Sequence, residues 1–140
     1  FKNLLQMKQK LIVLFLVLIF SISFYSCSGP YTAEDNGRTI ELSIDDPFEI
    51  ELEGNPTTGY IWDVLSYDST IIKQIGKADY QPLSDAIGTG GKYTFKFQTI
   101  TSGSTTLHLI YYKTFEKDIL PIKTFGMKVI SGTMGRIEAE

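Results

Sequence analysis

The chain has 140 residues, of which 13 are basic and 16 acidic, with one cysteine and one histidine. This length fits one domain and not comfortably two, and a single cysteine excludes an internal disulfide. Three of the basic residues are lysines within the first ten positions, so residues 28 to 140 carry a net charge of −6. That acidic balance argues against a nucleic-acid-binding protein, which needs a basic patch.

Residues 1 to 26 have the pattern of a secretory signal peptide. Lys2, Lys8 and Lys10 precede the apolar run from 11 to 20, and small residues follow it. A basic start, a short apolar stretch and small residues before a break point are typical of an export signal. The run is shorter than the roughly 20 apolar residues that span a membrane, and an uncleaved anchor is the alternative. Met7 is a second candidate for the first residue of the protein.

Cys27 ends this segment in the sequence "FYSC". The sequence resembles the lipobox of bacterial lipoproteins, although Phe24 stands where leucine is usual. The resemblance implies that Cys27 receives lipid and becomes the first mature residue. We therefore expect an exported protein that is held at a membrane of the cell envelope, on a face that the sequence does not identify. The alternative is a signal peptide that is cleaved elsewhere and leaves a free thiol.

Beyond Cys27 a short polar segment precedes a region of alternating hydrophobicity. Residues 28 to 37 are small and polar, so residues 27 to 37 are predicted to form a lipidated, flexible tether. Period-two alternation then predicts strands. The segment from 69 to 75 is either a further strand or a short helical turn. The alternating sets are Ile40-Leu42-Ile44, Phe48-Ile50-Leu52, Tyr60-Trp62-Val64, Tyr93-Phe95-Phe97, Leu107-Leu109-Tyr111 and Phe125-Met127-Val129.

Short strands separated by turn signals predict an all-β domain, an antiparallel β-sandwich of about seven strands. We place this domain at residues 38 to 130 and expect Trp62 to fill the centre of its core. Residues 131 to 140 show no pattern and are expected to fray as a C-terminal tail.

One loop carries residues that restrict the backbone. Pro56 fixes its own φ and keeps Asn55 extended, and β-branched Thr57 and Thr58 have few rotamers. Gly59 permits a positive φ that returns the chain to the next strand. The pattern predicts a stiff loop with two hydroxyl groups at its tip. The alternative interpretation is that this segment is only a well-formed turn without a functional role.

Two further segments are predicted to form loops near the first. Gly88, Gly90 and Gly91 are dense enough to suggest that a partner approaches the backbone closely. No strand–loop–helix context supports a phosphate-binding loop there. The third segment follows Tyr111 and Tyr112 and contains Lys113, Thr114, Phe115 and Glu116. Loops at alternate strand ends of a sandwich gather at one pole.

These three segments resemble the loops of the chagasin family of cysteine protease inhibitors. "NPTTGY" matches in full at 55 to 60, Trp62 follows, and "GTGG" matches at 88 to 91. The third motif differs, because Lys113-Thr114-Phe115 replaces Arg-Pro-Trp. The resemblance covers about residues 37 to 130.

The resemblance implies an immunoglobulin-like sandwich that blocks papain-like cysteine proteases reversibly, as a monomer without cofactor or metal. Thr57 and Thr58 would lie deepest in the cleft, and the other two loops would grip its sides. With phenylalanine in place of tryptophan at position 115, binding is expected to be weaker than with the complete motif. The residues implied to contact the protease are Asn55, Pro56, Thr57, Thr58, Gly59, Tyr60, Gly88, Gly90, Gly91, Tyr112, Lys113 and Phe115.

The sequence fits two other functions less well. An enzyme is disfavoured because His108, between Leu107 and Leu109, has no evident nucleophile or orienting group, and no residues have metal-ligand spacing. The acidic residues from 41 to 53 alternate along strands and do not form a calcium loop. An immunoglobulin-like surface lipoprotein that binds another protein without inhibiting a protease remains the alternative, because fold does not fix function.

Overall fold

A computed structural model describes residues 1 to 20, 29 to 116 and 118 to 132. Helix α1 (Lys2–Phe20) occupies most of the predicted signal peptide. None of the helices in these described ranges has the length and apolar character needed to cross a membrane. Cys27 lies outside the described residues, and so does the predicted tail from residue 133 onward.

Eight strands form two facing sheets. Sheet A consists of β2 and β6, with β4 and β5 following one another along the other edge of β6. Sheet B has the order β1-β8-β7-β3. The predicted β-sandwich is confirmed, with eight strands instead of about seven. The strands are β1 (Thr39–Leu42), β2 (Pro47–Gly54), β3 (Tyr60–Ser66), β4 (Ile72–Gln74), β5 (Asp79–Pro82), β6 (Gly91–Thr99), β7 (Gly103–Lys113) and β8 (Lys123–Ser131).

The pairing is not antiparallel throughout. β1 runs parallel to β8, with Thr39 opposite Lys128 and Leu42 opposite Ser131. These strands are distant in sequence, so no hairpin forces them to run in opposite directions. Ser131 therefore belongs to β8 and not to a frayed tail. The segment from 69 to 75 contains β4, which confirms the strand and rejects the helical alternative.

The core follows the predicted alternation except at Ile44, and Trp62 is buried near one end of the core and not at its centre. Ile44 is 47% exposed, because β1 ends at Leu42 and the Asp46 carboxylate accepts a 2.9 Å hydrogen bond from the Ser43 N–H. Trp62 is buried but lies beneath the first loop, where its Nε1 donates to the Glu53 carbonyl at 2.9 Å. The side chains that are fully buried include Phe95, Phe97, Phe125, Ile50, Leu52, Ile72, Leu107, Leu109, Met127 and Val129.

The segment that precedes β1 is docked on the sandwich, so the prediction of a flexible tether is wrong for residues 30 to 37. The Tyr31 N–H donates to the Glu49 carbonyl at 2.9 Å, and the Tyr31 carbonyl accepts from the Glu51 N–H at 2.8 Å. A 3₁₀ turn follows at Ala33–Asp35. Although this segment is mostly polar, it contains one aromatic side chain that docks it. Tyr31 packs edge-on against Phe48 with a centroid distance of 6.5 Å.

Three connections leave the sandwich at the same pole. Loop 1 (55 to 59) joins β2 to β3, loop 2 (83 to 90) joins β5 to β6, and loop 3 (114 to 122) joins β7 to β8. The registers place Gly54 and Pro82 opposite Gly91, and Tyr60 opposite Lys113. Loop 1 crosses from sheet A to sheet B, whereas loops 2 and 3 each stay within one sheet. Loop 1 therefore lies between the other two.

Candidate functional site: a surface of three loops

Asn55 organises loop 1 with its side chain. Residues 56 to 58 form a 3₁₀ turn, and the Asn55 Oδ1 accepts hydrogen bonds from the Thr57 N–H at 3.1 Å and the Thr57 hydroxyl at 2.6 Å. The Thr58 hydroxyl donates to the Asn55 carbonyl at 2.6 Å. Gly59 ends the turn at a φ of +86°, which glycine adopts without strain. The predicted stiff loop with two exposed threonines is present.

Two buried aromatic side chains support loop 1 from below. The Tyr111 hydroxyl accepts a 2.8 Å hydrogen bond from the Asn55 N–H. The Tyr111 ring stacks on Tyr60 with a centroid distance of 5.5 Å and packs at a tilt of 34° against Trp62 at 5.2 Å. The base of the loop is therefore fixed by side chains that belong to the core, so little backbone freedom remains to be lost when a partner binds.

Loop 2 is joined to loop 1 through the same asparagine. The Asn55 Nδ2 donates to the Gly88 carbonyl at 3.0 Å. Gly90 lies so near that an added Cβ would stand 3.3 Å from the Gly54 carbonyl oxygen. Gly88 has a φ of +80°. Gly90 therefore allows close approach to the base of loop 1, and Gly88 supplies a positive φ. The sequence-based suggestion that a partner approaches these glycines stays a prediction.

Loop 3 meets loop 1 from the opposite side. A Cβ added at Gly59 would lie 3.0 Å from the Phe115 ring, so the two residues are in contact. The Lys113 ammonium lies 5.0 Å from the centre of the Tyr60 ring and 3.1 Å from a Glu116 carboxylate oxygen. The hydrogen bond that the Lys113 ammonium donates to the Glu116 carboxylate raises the pKa of Lys113. The ammonium therefore keeps its charge and orders the start of the loop.

Tyr112 does not lie among the loop tips. It points to the outer face of sheet B, opposite Ile61 on the neighbouring strand. Its hydroxyl is 3.4 Å from the Asp63 carboxylate, and partial burial raises the pKa of the phenol. Strand alternation explains this placement, because Tyr111 and Tyr112 must face opposite sides of the sheet. The inward-facing Tyr111, which the sequence analysis did not select, is the one that supports the site.

Exposed apolar side chains in the flanking loops were also missed. Leu83 and Ile87 are exposed in loop 2, and Ile119, Leu120 and Ile122 are exposed in loop 3. The sequence contained a feature that could have identified them. Each of these residues lies in a polar or glycine-containing segment, outside any alternating pattern. In such segments an apolar side chain has no core to face.

His108 is exposed on the outer face of sheet B, opposite Gly126. Within residues 1 to 20, 29 to 116 and 118 to 132, no group of three or more histidine, cysteine, aspartate or glutamate residues could hold a metal ion. Glu49 and Glu51 in the acidic region face Lys96 and Lys92 across the strand pair, at 3.7 and 2.7 Å.

The fold and the site together define a β-sandwich that displays one preformed surface made of three loops. The chain belongs to the chagasin family of peptidase inhibitors, since the model of the chagasin family peptidase inhibitor I42 matches residues 41 to 129. This family consists of inhibitors, which confirms the prediction that the protein is not an enzyme. The family resemblance based on the three loop motifs is likewise confirmed.

Similar proteins support the same assignment. Amoebiasin-1 of Entamoeba histolytica is 34% identical over 100 residues, which are 70% of this chain and 94% of that protein. Chagasin of Trypanosoma cruzi is 26% identical over 90 residues, 61% of this chain and 82% of its own. The solution structure of Amebosin is 31% identical with a TM-score of 0.60, covering 74% and 99% of the two chains.

A second solved structure shares the fold. The crystal structure of the cysteine protease inhibitor EhICP2 from Entamoeba histolytica has a TM-score of 0.64 at 23% identity, covering 72% of this chain and 92% of that one. The agreement confirms the chagasin-like, immunoglobulin-like architecture.

Proposed function

We propose that this protein is a reversible inhibitor of papain-like cysteine proteases and occludes their active-site cleft with loops 1, 2 and 3. One observation carries the proposal. Asn55 caps the exposed tip of loop 1 and at the same time binds Gly88 of loop 2, while Phe115 of loop 3 contacts Gly59. The three loops therefore form one continuous wedge.

The shape of the wedge suits a cleft. Loop 1 crosses between the two sheets and presents Thr57 and Thr58 to solvent, so these residues would enter deepest. Ile87 and Phe115 are exposed on either side and would serve as apolar anchors. Inhibitor interfaces of this kind bury about 1,600 Å² in total and depend on a few such anchors.

The loop is proposed to resist cleavage because of its conformation. Residues 56 to 58 form a 3₁₀ turn, and Gly59 is left-handed. Main-chain recognition of a peptide along a groove uses an extended segment. A turn held by the Asn55 side chain presents no such segment at its tip, so the inhibitor should dissociate intact.

The test is inhibition of papain and several related peptidases by the purified chain, with a fluorogenic peptide substrate. We expect inhibition that saturates at one inhibitor per enzyme and is reversed by dilution, with an uncleaved inhibitor recovered by mass spectrometry. One-to-one stoichiometry would also support the proposed monomer. A chain that is inert towards every enzyme of the panel would instead support a surface protein that binds some other partner.

Export and membrane anchoring are a separate proposal. It is supported by the basic and apolar pattern of residues 1 to 20 and by "FYSC" at 24 to 27. Several acyl chains hold a protein at a membrane far better than one. Metabolic labelling with a fatty-acid analogue should mark the wild-type chain and not Cys27→Ala. Equal labelling of the two proteins would show that Cys27 does not carry a lipid anchor.

A further inference from the structure

Loop 3 displays a group of large apolar side chains beyond Phe115. Phe115 is 69% exposed, Ile119 61%, Leu120 86% and Ile122 54%. Single exposed apolar side chains are ordinary on protein surfaces, whereas a group of them marks an interaction site. This segment follows the third family motif, and the resemblance assigns no role to it.

The distribution of exposed apolar residues separates this group from the rest of the surface. Among the described residues from 29 to 132, nine large apolar side chains are exposed, and six of them lie in loops 2 and 3 at the pole of loop 1. The other three, Ile44, Leu65 and Ile75, are dispersed over a turn, the end of β3 and the end of β4. The apolar surface is therefore concentrated where the wedge is.

The segment is held at both of its ends. The Ile122 N–H donates to the Tyr111 carbonyl at 3.0 Å, and the Lys113 ammonium pairs with Glu116 at 3.1 Å. Tyr111 also supports Asn55 of loop 1 through its hydroxyl. The exposed side chains thus project from the framework that fixes the tip of the wedge.

The reach of the chain places these side chains within one interface. Leu120 is five residues from Phe115, so their Cα atoms are separated by at most about 18 Å. A standard inhibitor interface covers about 800 Å² on each partner, which corresponds to a patch roughly 30 Å across. An interface that uses Phe115 as an anchor is therefore large enough to include Ile119 and Leu120.

From this arrangement we infer that Ile119 and Leu120 form a second apolar anchor, which contacts an apolar surface of the target peptidase beside its cleft. This inference rests on the proposed inhibitory function. It deepens that proposal, because it names a specificity determinant: peptidases with an apolar surface on the side facing loop 3 are bound more tightly than those with a polar one. The contact also offsets the smaller ring at position 115.

The experiment compares the full chain with the double variant Ile119→Ser/Leu120→Ser and with a matched control, Leu65→Ser. Leu65 is 61% exposed and lies on the half of β3 that is remote from the loops. Inhibition constants and dissociation rates are measured for papain and a panel of papain-like peptidases, and thermal unfolding is recorded for each variant.

We expect the double variant to raise the inhibition constant at least tenfold for one or more enzymes of the panel, mainly through faster dissociation. Leu65→Ser should change the constant less than twofold, and both variants should unfold near the wild-type temperature. If the wild type inhibits and the double variant inhibits every enzyme equally well, this inference is wrong and the proposed function stands. If the wild type inhibits no enzyme, both fall.

Two other occupants of the surface are distinguished by separate measurements. Binding to vesicles of phosphatidylcholine and phosphatidylglycerol, or self-association in the analytical ultracentrifuge, is measured for the same variants. A loss of either property in the double variant, with unchanged inhibition constants, would assign the surface to a lipid bilayer or to a second copy of the chain, and would overturn the proposal.

Discussion

Asn55 is the residue on which the geometry of the site depends most. Its Oδ1 caps the tip of loop 1, its Nδ2 binds loop 2, and its N–H is bound by Tyr111. Asparagine is suited to this position because its side chain carries both an acceptor and two donors. Aspartate would supply the cap but could not donate to the Gly88 carbonyl. Asn55 thus links two loops through its side chain and ties them to the core through its main-chain N–H.

Thr58 provides the most direct test of the wedge. Thr58→Arg places a long charged side chain at an exposed tip, so we expect the inhibition constant to rise at least a hundredfold. The variant loses the exposed hydrogen bond from the Thr58 hydroxyl to the Asn55 carbonyl, which should cost about 0.5 to 1 kcal/mol, so the unfolding temperature should fall only slightly. The control is Thr70→Arg, since Thr70 is also exposed and hydrogen-bonded to a nearby residue but lies at the opposite pole. Substantial unfolding of Thr58→Arg would support a purely structural loop.

Tyr111 and Tyr112 form a matched pair for testing support from below. Tyr111→Phe removes the acceptor of the Asn55 N–H, which should cost about 1 kcal/mol of stability and raise the inhibition constant about three- to tenfold. Tyr112→Phe removes only a 3.4 Å contact with Asp63 on the outer sheet face, so both quantities should stay at wild-type values. Urea unfolding measures the stability of the two variants, and inhibition assays measure their inhibition constants. Equal effects of the two substitutions would contradict the conclusion that Tyr111 supports loop 1 and Tyr112 does not.

Phe115 stands where the family motif has tryptophan. Phe115→Trp adds apolar area, and each buried Å² contributes about 25 cal/mol, so the inhibition constant should fall about three- to tenfold. Phe115→Ala is the opposing control and should weaken inhibition. An inhibition constant for Phe115→Trp that stays the same or rises would count against Phe115 as an anchor.

Among the strands, the pair β5–β6 holds the base of loop 2, and its close pairing leaves no room for a side chain at Gly91. A Cβ added at Gly91 would overlap the Gln81 carbonyl oxygen and lie 2.6 Å from the Tyr80 hydroxyl. The carbonyl belongs to the paired backbone and cannot move alone, so β5 would separate from β6. Loop 2 depends on this pair, because Pro82 and Gly91 form its base.

Gly91→Ala should therefore lower the free energy of unfolding by about 2 to 3 kcal/mol, the cost of overpacking a tight site, and weaken inhibition as loop 2 shifts. Gly29→Ala is the control, because an added Cβ there meets no atom within 4 Å. Chemical denaturation of both variants tests this. A Gly91→Ala protein as stable as the wild type would show that β5 tolerates displacement.

The element that precedes β1 shows where composition misleads. Residues 28 to 37 have few apolar side chains, so the sequence predicts a tether. Tyr31 nevertheless bridges to Ile50 of edge strand β2. An edge strand has unpaired N–H and C=O groups, and a single well-placed residue can satisfy two of them. Which segment covers an edge depends on the path of the chain in space, and local composition does not record that path.

On the scale of the whole molecule, this docked segment gives a prediction about pH. Hydrogen bonds from the Thr32 N–H and the Arg38 guanidinium hold the pKa of Asp35 below its ordinary value. A carboxyl group with a lowered folded-state pKa stabilises the fold above its unfolded value, about 3.9. That contribution is lost as the pH falls through the lower folded value.

We therefore expect Asp35→Asn to lower the free energy of unfolding by about 0.5 kcal/mol at pH 7. The value is modest because the Asp35–Arg38 ion pair is partly exposed. The difference should shrink as the pH falls from about 5 towards 2. Thermal unfolding at several pH values measures it, with Glu34→Gln, an exposed neighbour, as control. A difference that stays constant over this range would show that the Asp35 charge plays no part.

Alternation and turn chemistry act between near neighbours, so six of the eight strands, their inward faces and the residues of loop 1 could be predicted from the sequence. The sequence by itself leaves β4 open between a strand and a helical turn, and it does not predict β5. It also identified the family, because "NPTTGY" and "GTGG" occur in the right order. Four features became visible only in the folded structure: Asn55 links two loops, Tyr111 and not Tyr112 supports them, Tyr31 closes an edge, and β1 runs parallel to β8. The physical reason is the same in each case: these contacts join residues far apart along the chain, and only the packing of the two sheets brings them together.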